Sequence, residues 1–499
     1  MSLQSGAYLF LFLPALLVCC AVLPARFRGW CLLAFSLGFL GLLGGKAGLL
    51  YPAGVAALTY GTGLALERAQ NKTARRLWWL GGVVLLLAGL IALKYAGTWA
   101  AAAGLGARFA WAVPLGLSFY TLEGLGYLTE VFWGHQAAER NFPRHLLFFT
   151  FFAKITEGPV CSVAELSDPL WRGDPLCPEN LERGAVRILW GLFKKLVAAD
   201  RLHYGVEALF ASFPAVPLRG QALLAGALYT VQLYLDFSGG IDIVLGSARL
   251  LGVTLPENFR RPLFSEDAGE FWRRWHITLG RWFRTYVFYP VSVSRPVKAW
   301  NRFARQRWGR SAANAGAAFA TLLPVWALTG LWHGPKGTYL AYGLYYFIIL
   351  FVESLLEPGR KKRRKARGKA DSRFLWRGLR VLRTLCVIVI GETLFRADSV
   401  GQFLALMRAV WLSPLVGSFA GGGIPGMGRA DTVCALAAAA VVLAAELWEE
   451  CRNRELYDGL QAAPLWVKWG AVLLLMALVA VFGRYGAGYK AVDFAYAGF

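Results

Sequence analysis

Long apolar runs recur along the whole sequence and are separated by short segments that carry most of the charge. A bilayer core needs about 20 apolar residues for each crossing helix, and many of the runs approach this length. They cover residues 7–24, 29–45, 48–66, 77–97, 109–132, 144–156, 183–199, 221–251, 316–333, 338–356, 378–396, 432–448 and 465–483. We therefore expect an all-α, polytopic transmembrane protein with about 10–13 membrane-crossing or re-entrant helices.

Composition and charge agree with this interpretation. Hydrophobic residues make up 57% of the chain, more than a soluble protein could cover, and we expect a single domain over residues 1–499. The net charge of +23 lies in loops between the runs, which argues against a nucleic-acid partner and for contact with membrane lipids. The loops at 68–76, 295–310 and 360–369 are the most basic, so the positive-inside rule predicts that they are cytosolic and that both termini lie outside.

Familiar catalytic motifs are missing from the sequence. The eight cysteines are scattered, with no CxxC and no Cys/His metal spacing, so we expect no metal site. There is no G-x-S-x-G nucleophile motif and no phosphate-binding P-loop. Any catalysis must therefore use other groups, and the five histidines are the first to consider.

His333 interrupts an apolar stretch, because the segment 329–336 (TGLWHGPK) breaks the run 316–351 near its middle. The part before His333 is short of a full crossing, and basic loops on both sides of the stretch direct the break outward. An ionisable residue at this depth is a functional candidate, and a neutral imidazole accepts a proton near pH 7. We predict that His333 is a general base; the alternative is a histidine that caps a helix turn.

A second candidate is His276, in the segment 271–290 (FWRRWHITLGRWFRTYVFYP). Wound as one helix, this segment gathers its basic residues within an arc of about 100° and aromatic residues on the opposite side, with His276 between the two faces. Such a helix either anchors at lipid headgroups or directs its arginines at the phosphates of a cofactor while His276 faces a cavity. The basic residues are Arg273, Arg274, Arg281 and Arg284.

Two carboxylates, Asp236 and Asp242, lie in an otherwise apolar region. Gly239 and Gly240 between them predict a broken helix. We expect the carboxylates to pair with Arg273, Arg274 or Lys154, or to orient a histidine.

Five blocks of sequence in a fixed order resemble the membrane-bound O-acyltransferase (MBOAT) superfamily. They are 114–120 (PLGLSFY), 151–159 (FFAKITEGP), 235–239 (LDFSG), 271–276 (FWRRWH) and 330–334 (GLWHG). The resemblance is to the bacterial branch that acetylates alginate and peptidoglycan or D-alanylates teichoic acid. It places a family-like core at about 110–356.

The resemblance implies a fold around a central tunnel, with a cytosolic mouth for an acyl thioester and an outer funnel for the acceptor. It matches His333 to the invariant histidine of the family and His276 to its more variable companion. Arg273 and Arg274 are then candidate donor contacts, and Asp236 and Trp332 are supporting polar residues. No bound cofactor is expected beyond the donor substrate, acetyl-CoA or another acyl thioester.

The C-terminal segment 484–499 ends in an aromatic sequence, 493–499 (DFAYAGF), that is similar to a C-terminal motif of these bacterial proteins. In that motif a tyrosine is thought to carry the acyl group, which makes Tyr496 the candidate carrier. Phe494 and Phe499 also fit, whereas Ala497 and Gly498 replace bulkier residues. The alternative is an aromatic tail that anchors at the membrane interface.

Taken with the topology, the resemblance predicts an enzyme of a bacterial inner membrane that moves an acetyl group outward for O-acylation of an extracytosolic polysaccharide such as alginate. A separate, esterase-like transferase would be its extracytosolic partner. One alternative is D-alanyl transfer to teichoic acid. Two other classes are a structural export scaffold and a transporter, in which Glu123, Lys154, Asp236, Asp242 and His333 would line a permeation path.

Overall fold

The computed structural model describes residues 2–104, 113–174, 177–213, 218–367, 374–414, 423–486, 489 and 492–494. Over these ranges the chain is almost entirely helical, and its β pairing is limited to one isolated antiparallel bridge between Phe259 and Trp275. The all-α prediction is confirmed.

The α-helices are numbered in chain order. They are α1 (Leu13–Val22), α2 (Ala25–Arg68), α3 (Lys72–Ala102), α4 (Leu117–Trp133), α5 (Phe142–Thr150), α6 (Phe152–Ile155), α7 (Val163–Arg172), α8 (Pro178–Leu192), α9 (Asp200–Ala211), α10 (Arg219–Leu250), α11 (Ala268–Arg274), α12 (Ile277–Phe283), α13 (Tyr289–Ser292), α14 (Arg295–Arg307), α15 (Gly309–His333), α16 (Gly337–Arg367), α17 (Phe374–Arg396), α18 (Val400–Leu412), α19 (Arg429–Arg452), α20 (Leu456–Gln461) and α21 (Leu465–Phe482). Short π-helical segments cover Tyr8–Phe12, Phe193–Ala199 and Arg284–Phe288.

Six of the described helices are long and apolar enough to cross a bilayer, so the protein is a multi-pass membrane protein. They are α2, α3, α15, α16, α19 and α21. Other predicted runs form helices of a different kind, either short and apolar, as in Tyr8–Val22 and α18, or buried inside the protein, as in α4. Sequence hydropathy does not distinguish a lipid-facing helix from one that the protein itself surrounds.

Helix α10 lies at the centre of the fold and is buried along most of its 32 residues. The predicted break at Gly239 and Gly240 is wrong, because α10 continues through both. The glycines of α10 instead permit close packing on α8. A Cβ at Gly246 would lie 2.7 Å from the backbone oxygen of Gly184, and one at Gly239 would lie 2.9 Å from that of Gly191. Small residues are what allow two helix backbones to approach so closely.

Helices α15 and α16 form a hairpin, and the predicted break in the run 316–351 is confirmed. Helix α15 ends at His333, and Gly334 follows with φ of 142°, a backbone conformation that side chains disfavour. A Cβ at Gly330 would lie 2.5 Å from the carbonyl oxygen of Tyr339, so the two helices touch backbone to backbone. Helix α16 runs antiparallel to α15, so its Arg360 lies near the start of α15, on the same side of the hairpin as α14. We call this side, with the basic residues of α14 and Arg360, the basic side.

The packing of α8 on α10 gives a direct test of the fold. We expect Gly246→Ala to destabilise the protein by about 1–3 kcal/mol, because the added methyl overlaps backbone atoms of α8. Gly81 is the matched control, since it lies in α3 and a Cβ added there would have no neighbour within 4 Å. Gly81→Ala should be neutral or raise stability by up to about 1 kcal/mol. Thermal unfolding in detergent measures both, and equal melting temperatures for the two variants would contradict the packing argument.

Candidate active site

His333 is the last residue of α15 and is 5% exposed. Aromatic rings surround its imidazole: the ring centroid of Phe395 lies 4.8 Å away, and those of Tyr339 and Tyr342 each lie 5.9 Å away. The break after the helix therefore places the imidazole in a mostly apolar enclosure inside the protein.

Two residues of α3 hold the end of the helix that carries His333. The ammonium of Lys94 donates to the carbonyl oxygen of Trp332 and, at 2.9 Å, to the hydroxyl of Ser118. The hydroxyl of Tyr95 donates to the carbonyl oxygen of Leu331. The last carbonyls of a helix lack partners within it and carry partial negative charge, so a cation and a donor stabilise them. Lys94 was not among the residues predicted from the sequence, although a lysine within the apolar run 77–97 is a signal for such a role.

His276 does not lie on a continuous amphipathic helix, and that prediction is wrong. The segment breaks between α11 and α12, where His276 adopts φ of 44°. The chain pairs with a neighbouring segment instead: the amide of Ile277 donates to the carbonyl oxygen of Asn258 at 3.0 Å. The side-chain oxygen of Asn258 accepts from both the amide and the hydroxyl of Thr278. These bonds replace the helical hydrogen bonds that the turn lacks and direct His276 inward, where it is 3% exposed.

Trp332 lies between the two histidines. Its ring centroid is 4.8 Å from that of His333 and 5.9 Å from that of His276. Phe119 packs on the edge of Trp332, and Phe237 of α10 packs on His276 with ring centroids 5.0 Å apart. Four of the five blocks that carry the family resemblance thus supply the core of one site.

A cavity of about 480 Å³ reaches both histidines. Its inner part is lined by aromatic and apolar residues, including Trp272, Trp326 and Tyr342. Charged residues line its other end: Asp267, Arg273, Arg284, Glu353, Glu357 and Arg360. From Tyr342 to Arg360 the lining follows α16 for about 27 Å, at 1.5 Å per residue. The cavity therefore extends from the histidines toward the basic side.

Arg273 and Arg274 have different surroundings. Arg273 lines the cavity, and its side chain is 58% exposed, with one guanidinium nitrogen 4.0 Å from Asp267. Arg274 is 20% exposed and pairs with Glu270 at 2.6 Å and with Glu450 of α19 at 3.0 Å. Its guanidinium therefore ties α11 to α19, and Arg274 is not among the residues that line the cavity.

Asp236 pairs with Lys195, which also contacts Asp200 at 2.9 Å. The expected pairing of Asp236 with Arg273, Arg274 or Lys154 is wrong. Lys154 is engaged elsewhere, with Glu123. Asp242 likewise pairs with Lys194. Both lysines come from the helical segment 193–199, which from the sequence was predicted only as part of an apolar run. Asp242 also pairs with Arg187 of α8 at 3.0 Å.

The described part of the C-terminal segment enters the protein beside α10. The side chain of Gln4 donates to the carbonyl oxygen of Val492 at 3.0 Å. Phe494 is 7% exposed and lies under the Lys195 ammonium, which is 4.7 Å from its ring centroid. A Cβ at Gly240 would lie 3.0 Å from the Phe494 ring. Tyr496, the candidate carrier, and Phe499 lie outside the described residues.

Within the ranges that the structure describes, there is no group of three or more histidine, cysteine or acidic residues that could hold a metal ion. Two buried imidazoles at the end of an elongated cavity can accept and return protons. The arrangement suits acid–base chemistry on a substrate that enters through the charged end.

Comparison with known proteins identifies the family. The family model "MBOAT, membrane-bound O-acyltransferase family" matches residues 134–370. The "Probable alginate O-acetylase AlgI" of Pseudomonas syringae pv. tomato is 31% identical over 80% of this chain and 73% of its own length. The "Peptidoglycan O-acetyltransferase" of Helicobacter pylori is 26% identical over 50% of this chain and 49% of its own length. The "Teichoic acid D-alanyltransferase" of Bacillus subtilis is 28% identical over 50% of this chain and 60% of its own length.

The matched region contains α15, α16 and the broken segment at His276, and the similarity to the alginate O-acetylase extends beyond it. The chain therefore belongs to the membrane-bound O-acyltransferase family, and it is a multi-pass membrane O-acyltransferase.

Proposed function

We propose that this enzyme takes an acyl group, acetyl in the first instance, from acetyl-CoA and passes it to a hydroxyl of an extracytosolic polysaccharide such as alginate. The observation that carries the proposal is the cavity that connects the charged rim on the basic side with His333 and His276. The basic side is cytosolic in this proposal, as the positive-inside rule predicts. The protein then acts as one domain over residues 1–499, with its family-like core at about 110–356, in a bacterial inner membrane.

The shape and charge of the cavity support an acyl-CoA donor. A donor that fills it must be elongated, with a charged end among the rim side chains and a reactive end at the histidines. Arg273, Arg284 and Arg360 lie at the rim and would provide cations for phosphate groups, with Arg360 exchanging its 3.3 Å ion pair with Glu353 for the ligand. Charge-assisted bonds of this kind are stronger than neutral ones. The apolar inner part excludes water from the thioester, which limits hydrolysis.

His333 is the general base in this mechanism. Its neutral imidazole takes the proton of an acceptor hydroxyl as the oxygen attacks the thioester carbon. The carbon–oxygen bond forms, the carbon–sulfur bond breaks, and the imidazolium returns its proton to the leaving thiolate. His276 orients the reacting groups or holds a second proton, and Trp332 fixes the spacing between the two rings. A thioester and a phenyl ester are close in energy, so no second energy source is required.

Tyr496 is the first acceptor in this proposal and carries the acyl group to the outer side. Support comes from Phe494, which precedes Tyr496 by two residues and packs on Gly240 of α10. Gly240 is three residues from Phe237, whose ring contacts His276. Two extended residues span about 7 Å, enough to reach from Phe494 toward the histidines. A phenol also needs less activation than an alkyl alcohol, because its ordinary pKa is about 10.

The final acceptor is inferred from the relatives. The alginate O-acetylase matches 80% of this chain, whereas the teichoic acid D-alanyltransferase matches 50%, so we favour O-acetylation of a polysaccharide over D-alanylation. An esterase-like transferase outside the membrane would complete the transfer. A transport path through Glu123, Lys154, Asp236 and Asp242 is not supported, because these residues are engaged in buried ion pairs and none lines the cavity.

We expect His333→Ala to lower polymer acylation about 10²–10⁴-fold, because it removes the group that moves the proton. His135→Ala is the control, since His135 is exposed and pairs with Glu130 away from the cavity. Ester content of the polymer is measured in cells that produce equal amounts of each variant in the membrane. Near-normal acylation by His333→Ala would remove His333 from the mechanism.

Arg273→Ala should raise the KM for acetyl-CoA about tenfold or more, because a cation that contacts phosphate is lost. Arg281→Ala serves as the matched control, since Arg281 lies on α12, pairs with Glu165 and does not line the cavity. Arg274→Ala should instead lower the melting temperature, because Glu450 loses one of its cations. If Arg273→Ala and Arg281→Ala bind the donor equally well, the rim arginines do not bind phosphate.

Tyr496→Phe keeps the aromatic ring but deletes the nucleophile, and we expect it to abolish acylation. In the unaltered protein, a C-terminal peptide that contains Tyr496 should gain the mass of an acetyl group in the presence of acetyl-CoA. Mass spectrometry after rapid quenching detects this adduct. Normal acylation by Tyr496→Phe would show that His333 acts directly on a different acceptor.

A further inference from the structure

Helix α17 supports His333 from the side opposite its own helix. Glu392 and Phe395 are one turn apart on α17 and share a face. Phe395 is 6% exposed and packs edge-on against the imidazole, with an interplanar angle of 83°. Glu392 is 2% exposed and lies one helical turn before Phe395. A carboxyl group is an unusual neighbour for a face that otherwise packs aromatic rings.

Glu392 is joined to the site by Tyr342. The Tyr342 hydroxyl donates to Oε1 of Glu392 at 3.1 Å. Tyr342 also lines the cavity, and its ring lies 5.9 Å from that of His333 and 5.0 Å from that of Phe395. This hydrogen bond therefore connects α17 to the wall that bounds the imidazole.

Glu392 differs from three of the other buried acids near the centre of the fold and resembles Glu446, which accepts a hydrogen bond from the hydroxyl of Tyr234. Glu123, Asp236 and Asp242 each have a lysine partner. Among the residues that the structure describes, no lysine, arginine or histidine lies within ion-pair distance of Glu392. An isolated carboxylate is costly to bury, so the group holds a proton and acts as a neutral hydrogen-bonding partner. A polar group that only filled space would be replaced at lower cost by leucine, which implies a specific task for this one.

We propose that Glu392 is a positioning residue for His333 and that it acts through Tyr342. The hydrogen bond fixes the Tyr342 ring, and Tyr342 and Phe395 together hold the imidazole in one orientation toward the cavity. When the bond is lost, the Tyr342 ring can tilt and the imidazole can follow it. A misplacement of about 1 Å at a reacting group costs about 10²-fold in rate. This inference rests on the proposed function, in which His333 is the general base.

Substitution of Glu392 should therefore change the rate of reaction and not the affinity for the donor. Purified protein in detergent is supplied with acetyl-CoA and an excess of a polysaccharide hydroxyl acceptor, and thiol release is measured. We expect Glu392→Leu and Tyr342→Phe each to lower kcat about tenfold or more while the KM for acetyl-CoA stays within about twofold. Glu392→Gln, which keeps a neutral acceptor oxygen, should retain at least about half of kcat. The double variant Glu392→Leu with Tyr342→Phe should be no slower than the slower single variant, because both remove the same bond.

Three results would overturn the role of Glu392. They are a normal kcat for Glu392→Leu, a normal kcat for Tyr342→Phe, and multiplicative losses in the double variant. If Glu392→Leu does not yield folded protein, Tyr342→Phe and Glu392→Gln still decide the matter, because both preserve side-chain volume. An active His333→Ala variant overturns the proposed function and this inference together. An inactive His333→Ala variant beside a fully active Glu392→Leu variant overturns this inference alone.

Discussion

Inside a bilayer, backbone groups that a helix leaves unpaired must find partners within the protein, and this requirement shapes the site. Helix α15 ends inside the protein, where Lys94 and Tyr95 donate to its last carbonyls. The turn at His276 exists because Asn258 replaces the helical bonds that the turn lacks. Both histidines therefore occupy places where a helix stops, and each stop is stabilised by a polar side chain from a different element. Such positions leave an imidazole near a cavity instead of against a neighbouring helix.

Charge is distributed in the protein according to the same constraint. The two buried acids of α10 are matched by lysines from one segment, with Lys194 on Asp242 and Lys195 on Asp236. On the basic side, Glu450 collects Arg261, Arg274 and Arg377 from three elements. Removing one member of a buried pair leaves an uncompensated charge, so these clusters fix how the helices are arranged. None of the residues of these two clusters lines the cavity, whose arginines belong to its rim.

Much of the fold followed from the sequence because apolar length and charge placement report directly on the bilayer. The break at His333 was predictable, since 329–336 combines a histidine, glycines and a proline within an apolar stretch. The turn at His276 was not predictable, because residues 271–290 have good helical periodicity. The hydrogen bonds that replace the helical ones come from Asn258, which lies outside that segment. Gly239 and Gly240 were misjudged for a related reason. A glycine that permits close helix packing and a glycine that breaks a helix are identical in a single sequence.

The partners of Asp236 and the position of Glu392 also needed the structure. Ion pairing between α10 and the segment 193–199 depends on a contact between elements that are well separated in sequence. Glu392 lies in a run that looks like an ordinary span, and the structure relates it to His333 through its hydrogen bond to Tyr342. Local patterns specify helices well, but they specify which faces meet only weakly.

The backbone contact between α15 and α16 has a mechanical consequence. A Cβ at Gly343 would lie 2.3 Å from the carbonyl oxygen of Trp326, closer still than the 2.5 Å of the corresponding contact at Gly330. Two helices in backbone contact at two levels have no side-chain layer between them that could slide, so they move as one rigid lever. The facing wall of the cavity, which includes the hydrogen-bonded turn between α11 and α12, is joined to that pair of helices where the amides of Ala268 and Gly269 donate to the side chain of Glu353 of α16. Widening the passage to admit a bulky donor therefore changes the distance between this pair of helices and the facing wall, and not the distance between α15 and α16.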